Sequence, residues 1–359
     1  MTELTKEEEL SIKGTCMEFC PLEEVNMRTR EKMVHVLEAT DTGLKLIKCY
    51  NRSAADTNMA NPHLLRPYPV LLKCIHYLMF EVSKRTDMKK WFVYDFIEDR
   101  LRSVRQDMTI QRLPPEQCVE LLEPMIRFYV YYSYRLCECG PNEYDPVLNK
   151  KHLLECLKWF LSCCGTLDKT KEYSPLDNIA LRIEQLDLSK QKLVIDRVLV
   201  ESLYILSNLN DTHPLHRYLQ LPESLRRVSA LKLAYSIGVA NYRGNFVRIM
   251  KLSKRLCPLS YAALCSHLPV SQKKAISTMC HAYNSKQLSV PISTFKKWLM
   301  FGDDDEAFSA CKHYGLSVNN NSVIFNKAAY KDVEMPPRRR NYSAKIIQFK
   351  LEDVLTYTL

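Results

Sequence analysis

Glycine is scarce in this sequence. Only eight of 359 residues are glycine, and no two lie closer than six positions apart. That spacing excludes both G-x-G-x-x-G and G-x-x-x-x-G-K-[ST], the loops that cradle nucleotide phosphates. The same scarcity, with abundant Leu, Lys and Glu, predicts helices joined by short turns rather than a strand-rich fold. No stretch approaches the ~18 uninterrupted apolar residues of a membrane span, so no membrane partner is expected. Met1 to Lys13 is charged and lacks the features of a secretory signal, and the cysteines follow no disulfide spacing. An intracellular, reducing compartment is therefore expected. H-E-x-x-H and G-x-S-x-G are both missing, so catalysis has no sequence anchor and no cofactor is expected.

What the chain does contain begins with Gly14-Thr15-Cys16-Met17-Glu18-Phe19-Cys20-Pro21. A structural zinc site needs four ligands; Cys16 and Cys20 supply two, and no matching pair follows among the other twelve cysteines. A zinc-dependent enzyme built on them is kept only as an alternative. The favoured reading places Pro21 in a first helical turn, with Glu23 and Glu24 facing the positive helix end and Arg28 and Arg30 further along. The thiols are then small packed groups.

Apolar spacing predicts helices over 22–38, 70–84, 91–111, 116–137, 149–163, 176–186, 190–209, 223–237, 246–256 and 272–284. Pro62, Pro67 and Pro69 fall in a connector ahead of the second. After Ser285 the pattern changes. A short helix over Val290 to Phe301 is followed by an acidic helix start at Asp303 to Glu306 and a helix reaching Tyr314. Strands Gly315–Val318 and Ser322–Phe325 then flank an Asn-rich turn, and a further strand is predicted over Ser343 to Lys350. Helix, helix, hairpin is the outline of a winged helix. The fold class is mainly α: a helical-repeat array of TPR/PCI-like kind, capped by a C-terminal winged helix with a small β-hairpin. The boundaries are an arm and helix entry over 1–21, a body over 22–285, the cap over 286–350 and a tail over 351–359.

Three constellations have chemistry in them. Asp95, Asp99 and Asp107 share a helix with Arg100, Arg102 and Arg105, and Arg of equal number would keep the acids ionised, so a network tying this helix to its neighbours is favoured over acid/base catalysis. The spacing suggests Asp95 or Asp99 with Arg102, and Arg100 with Asp107. His213-Pro214-Leu215-His216 lacks a local third ligand and reads as a helix-start loop. Tyr129, Tyr131, Tyr132 and Tyr134 read as core more readily than as base-stacking platforms. The binding candidate is basic: Lys296, Lys297, Lys312, His313, Lys327, Lys331, Arg338, Arg339, Arg340 and Lys345, in a chain of net charge +10. These side chains either share one phosphate-contacting surface or form a solvated face with a basic tail.

The ordered blocks, taken together, carry a resemblance. Gly14-Thr15-Cys16 to Cys20-Pro21 with Arg28 and Arg30, Arg52-Ser53-Ala54-Ala55 with Leu65-Arg66-Pro67, Asp95-Phe96 through Arg100, Arg102 and Arg105-Gln106-Asp107, and Leu299-Met300-Phe301 with Cys311-Lys312-His313-Tyr314-Gly315-Leu316 resemble the Sac-three/GANP family over nearly the whole chain. The resemblance implies a non-catalytic scaffold with a PCI-like winged helix, as found in a complex coupling messenger-RNA production to nuclear export. Short members resemble a centrosome and spindle factor instead. Ending at Leu359, the chain leaves no room for the nuclear-pore-binding and centrin-binding extensions of long export scaffolds, so a role in centrosome duplication and spindle organisation is expected, with messenger-RNA export as the alternative. Centrosome, spindle and cytoplasm are the expected locations, with the nucleus as alternative. The expected partners are proteins, among them another PCI/winged-helix subunit and a small acidic peptide subunit, with RNA as a further candidate.

Overall fold

The computed structural model describes residues 12–41, 43–52, 60–170, 195–285, 287–334 and 349–357. They fall into two units, one drawn from Met1–Phe128 and Cys139–Ile195, the other from Tyr129–Glu138 and Asp196–Leu359. The helix expected over 176–186 and most of the strand expected over 343–350 lie outside the described residues, as does the start of the helix expected from Lys190.

The first unit begins with an arm that enters α1 (Leu22–Arg30). Pro21 stands at the N-cap, one residue before the helix rather than within its first turn, and Glu23 and Glu24 occupy that first turn. The helix expected to reach Glu38 stops at Arg30. Lys32 adopts φ 56°, and its N–H and that of Met33 return to the carbonyls of Thr29 and Arg28 at 3.3 and 2.8 Å. This double closure satisfies the last turn and ends the helix. A 3-10 turn (Val36–Glu38) and the short hairpin β1 (Ala39–Thr40) and β2 (Gly43–Leu44) follow.

Next come α2 (Tyr68–Phe80), α3 (Lys90–Gln111), α4 (Pro115–Arg135) and α5 (Pro146–Thr170). Val70, Leu71, Leu72, Ile75, Leu78 and Met79 of α2 are all buried. Each such side chain contributes about 1.5–3 kcal/mol relative to exposure. Tyr94 of α3 stacks on Phe128 of α4 with ring centres 5.5 Å apart.

In the second unit the end of α4 buries Tyr129, Tyr132 and Tyr134, so these rings are core as expected. The helices α6 (Arg197–Ser207), α7 (His213–Gln220), α8 (Glu223–Arg226), α9 (Ser229–Tyr242), α10 (Phe246–Ser253), α11 (Pro258–Cys265) and α12 (Leu268–Ala282) follow. The segment at His213 opens a two-turn helix with Pro214 in its first turn, where a missing N–H does no harm. The single helix expected over 223–237 is two, because Val228 is extended between α8 and α9. α6 packs against α7, α9 and α11, and α9 against α7, α8 and α10.

The last part contains β3 (Ser289–Pro291), α13 (Ile292–Leu299), α14 (Asp304–His313), β4 (Ser317–Asn319) and β5 (Ser322–Ile324), with α15 (Leu351–Thr356) after it. β4 and β5 form the expected hairpin, with Asn320 and Asn321 at φ 44° and 62°. Positive φ at both central residues matches the right-handed twist of the strands. The third strand of this antiparallel sheet comes from ahead of α13: β3 pairs with β5, placing Val290 opposite Val323, itself opposite Val318. One core joins these elements to α12, with Ile276, Met279, Phe295, Leu299, Cys311, Val323 and Phe325 buried together. α14 closes on Gly315, at φ 76°, where an added Cβ would lie 2.4 Å from the Ala329 carbonyl oxygen.

Candidate functional site

The arm is fastened by α3. Gly14 donates its N–H to Gln111 Oε1 at 2.8 Å, and Cys16 donates its N–H to the Leu65 carbonyl at 3.0 Å. A Cβ on Gly14 would stand 2.4 Å from the Leu65 oxygen, so only glycine lets the two strands of backbone approach. Beneath them lies Arg66, with no exposed side-chain surface. Its Nε donates to Asp107 Oδ2 at 2.7 Å, one Nη to Ser103 Oγ at 2.8 Å and the other to the Phe19 carbonyl at 3.3 Å. Lys48 Nζ reaches the other Asp107 oxygen at 2.6 Å and the Leu64 carbonyl at 2.6 Å.

A second knot centres on Glu38, also fully buried. It accepts from the backbone N–H of His35 and Ile47 at 3.0 and 2.9 Å, from Arg100 at 3.2 Å, and from Arg28. Arg100 continues to Asp99 at 2.5 Å, and Asp99 accepts from the Tyr50 N–H at 3.3 Å. Burial pushes the Glu38 carboxyl up, but the Ile47 N–H, Arg100 and Arg28 outweigh it and hold the group below its ordinary value. His35 is driven down by burial and by Arg100, which favours the neutral ring that accepts from the Leu37 N–H at 3.2 Å.

The network reading of the Asp95–Asp107 segment thus holds, with other partners than spacing suggested. Asp107 takes Arg66 and Lys48 instead of Arg100; Arg102 lies 3.8 Å from Glu98 and over the Tyr50 ring instead of pairing with Asp95 or Asp99; Arg105 pairs with Glu155 at 2.9 Å. Glu98 also meets His152 Nδ1 at 2.5 Å. A helix can satisfy its charges through the chain segments laid across it, and Glu38, Lys48 and Arg66 lie far from it in sequence. Asp95 stays exposed and makes no ion pair among the described residues; partial burial, Glu98 and Asp99 push its carboxyl up. Arg52 is exposed and outside the network, and Pro67 caps the start of α2.

The thiols beside this network are packed or tied. Cys20 is buried, and burial together with Glu24 pushes it far up. Cys16 Sγ donates to the Glu18 carbonyl at 3.4 Å, and Cys49 is pushed up to about 12 by burial. Among the described residues no three His, Cys, Asp or Glu side chains converge as a metal-binding group.

The basic set is divided. Lys297, Lys312, Lys327 and Lys331 are exposed. Lys296 pairs with Asp304 at 2.7 Å, and His313 Nε2 is 2.7 Å from the Glu334 carbonyl. The acidic start of α14 therefore faces part of the set. Arg338, Arg339, Arg340 and Lys345 lie outside the described residues.

Comparison with known proteins gives the relationship. The SAC3/GANP family profile matches residues 19–320. The chain belongs to the SAC3/GANP family. It is 29% identical over 325 residues to Protein xmas of Drosophila melanogaster, covering 85% of this chain and 15% of that protein. It is 24% identical over 379 residues to SAC3 family protein 1 of Schizosaccharomyces pombe, covering 97% of this chain and 34% of the relative, and 23% identical to SAC3 family protein B of Arabidopsis thaliana, covering 85% and 18%. The chain thus spans about a third or less of the length of these relatives.

Within the SAC3/GANP match lies a surface that motif reading missed. Between Glu223 and Asp303 every charged side chain is Lys or Arg. Arg243, Arg248, Lys251, Lys254 and Arg255, on and around α10, are exposed, with Tyr242 at 72% and Val247 at 59% exposure beside them. α10 packs against α13, and Ser253 Oγ donates to Met300 Sδ at 3.2 Å, which brings this end of α10 to the end of α13 that carries Lys296 and Lys297. The signal was a long stretch without acids, visible only when charges are read by their absence.

Proposed function

We propose that this SAC3/GANP-family protein is a non-catalytic helical scaffold whose second unit holds the phosphates of single-stranded RNA against the α10–α13 surface. The acid-free run from Glu223 to Asp303 carries the reading, because it adds exposed Lys and Arg without a carboxylate of its own. Although Lys273 and Lys296 pair with Asp332 and Asp304 outside it, the net field is positive for a polyanion. In this reading α13, α14 and the β3-β5-β4 sheet form the PCI-like winged helix that caps a helical-repeat body. Exposed Tyr242 offers a ring for a base.

The test is anisotropy of a labelled oligo-uridine with the full chain over a salt series. Affinity is expected to fall with salt, and the triple change Arg248→Glu, Lys251→Glu, Lys297→Glu should reduce the log–log slope by about 2, at ~0.7 per lost phosphate contact. Salt-independent binding contradicts the proposal. The same positive surface supports a second reading, an acidic protein subunit or a second winged-helix subunit as partner; stoichiometric co-purification of such a subunit without nucleic acid would favour it. The cellular setting proposed is centrosome duplication and spindle organisation, with a transcription-coupled messenger-RNA export complex as the alternative; imaging the tagged protein through mitosis separates the two.

A further inference from the structure

The first unit carries an apolar cleft that neither the ion network nor the RNA reading uses. It has a volume of about 370 Å³, within the ~300–1,000 Å³ range of ligand-sized clefts, and its walls are Phe19, Cys20, Leu22, Val25, Leu44 and Leu46. Two of these wall residues stand in water: Leu22 is 72% and Leu44 58% exposed, with Met17 at 70% nearby in the arm. Among the described residues, six of the thirteen exposed large apolar side chains fall between Met17 and Leu44, and two of these, Leu22 and Leu44, line the cleft.

The cleft walls are tied to the segments behind them. The Phe19 carbonyl accepts from the Lys48 N–H at 3.0 Å and from Arg66 at 3.3 Å, and the Lys45 N–H donates to the Glu38 carbonyl at 2.8 Å. One wall is thus anchored to the buried Arg66 and the other to the backbone of Glu38, and a visiting side chain would find them already placed. The Cys20 thiol in the wall is buried and kept neutral, which suits packing and not nucleophilic attack.

Charge at the rim selects the occupant. Lys45 borders the cleft, but its ammonium sits 3.5 Å from the Tyr77 ring centre and 5.2 Å from that of Phe19, drawn down over the rings. Glu18 and Glu23 are exposed and make no ion pair among the described residues. We propose that this cleft docks a segment of a partner protein that places a large apolar side chain between Leu22 and Leu44 and a Lys or Arg beside it against Glu18 and Glu23. An anionic membrane surface is opposed by the same two carboxylates.

The experiment uses the full chain and two labelled peptides, an amphipathic Leu/Lys helix and its twin with every Lys replaced by Glu. The basic peptide is expected to bind, and Leu44→Asp or Leu22→Asp to weaken it by about tenfold or more, the scale of losing one buried Leu contact. Glu18→Lys with Glu23→Lys should shift preference toward the acidic twin. Leu22 and Leu44 are exposed, so thermal midpoints of the variants should match the parent and exclude misfolding. Binding that ignores Leu22 and Leu44, or no binding of the basic peptide, overturns the proposal. So does self-association of the chain, by light scattering, that Leu44→Asp abolishes, since the cleft then belongs to a second copy. Sedimentation with phosphatidylcholine–phosphatidylserine vesicles that depends on Leu44 would assign it to lipid and overturn it likewise.

Discussion

Asp107 sits between two cations, Arg66 and Lys48, with no side-chain surface in water. Removing its charge strands both. Asp107→Asn is expected to lower stability by about 3–5 kcal/mol, the loss typical of breaking a buried pair from one side, whereas Asp95→Asn, on the same helix but exposed, should change it by less than about 0.5 kcal/mol. Urea unfolding of the two variants measures the contrast. Acid should act through the neighbouring knot in two stages. His35 has a lowered folded value, so the unfolded chain takes up its proton first and stability declines as pH falls below about 6.5. Glu38 is also held low, so its contribution is complete above the unfolded value of about 4.3 and is lost as pH falls further. Glu38→Gln should remove the second stage from a pH series of unfolding curves, and His35→Phe the first. The arginines and aspartates of this site were legible as a structural network, since their helical spacing and equal numbers argue against a free acid. Their true partners were not: Glu38 was read as the end of a helix, and Lys48 as part of a connector.

At the scale of elements, helix stops decided what could be read. The Lys90–Gln111 and Pro115–Arg135 helices were legible almost to the residue, because apolar period and the Pro114-Pro115 break agree. α1 was not, because Lys32 does what glycine usually does. Arg112 does the same at the end of α3, at φ 48°, with the Leu113 N–H returning to the Met108 carbonyl at 3.2 Å. A left-handed L-residue costs about 1–2 kcal/mol, so Lys32→Gly and Arg112→Gly, both at exposed positions, should each raise stability by about 1 kcal/mol in thermal melts. Gly315→Ala should act oppositely, lowering it by about 1–3 kcal/mol, since strain and the Ala329 carbonyl meet the same methyl. α11 and β3 escaped the sequence reading for another reason. Eight residues opening on Pro258 and three residues ending on Pro291 are too short to show a period.

Across the whole molecule, charge serves both as buried ties and as exposed surface. The first unit buries the Arg28–Glu38–Arg100 and Arg66–Asp107 clusters, and the second buries Glu201 against Arg197 and Arg217 while Arg243, Arg248, Lys251, Lys254 and Arg255 stay exposed. Charge reversal on α10 should therefore weaken RNA binding without moving the thermal midpoint, a pairing of anisotropy and calorimetry that a folding defect could not imitate. Lys296 and Lys297 stood out in the sequence from their place on the first helix of the winged-helix pattern. The other side chains of the proposed surface did not, because Arg248 and Lys251 share α10 with apolar residues that identify it as core, Arg243, Lys254 and Arg255 flank it, and no motif names the missing carboxylates.

The fastening of the arm has a consequence for the order in which the chain becomes itself. Gly14 waits for Gln111, 97 positions later, and Arg66 waits for Asp107. As the polypeptide leaves the ribosome, the bond from Gly14 to Gln111 cannot form until α3 has emerged, so this end of the arm is fastened after the helix that follows it in synthesis. The Phe19 wall of the cleft is completed on the same schedule, since Arg66 reaches the Phe19 carbonyl from a seat on Asp107 of α3.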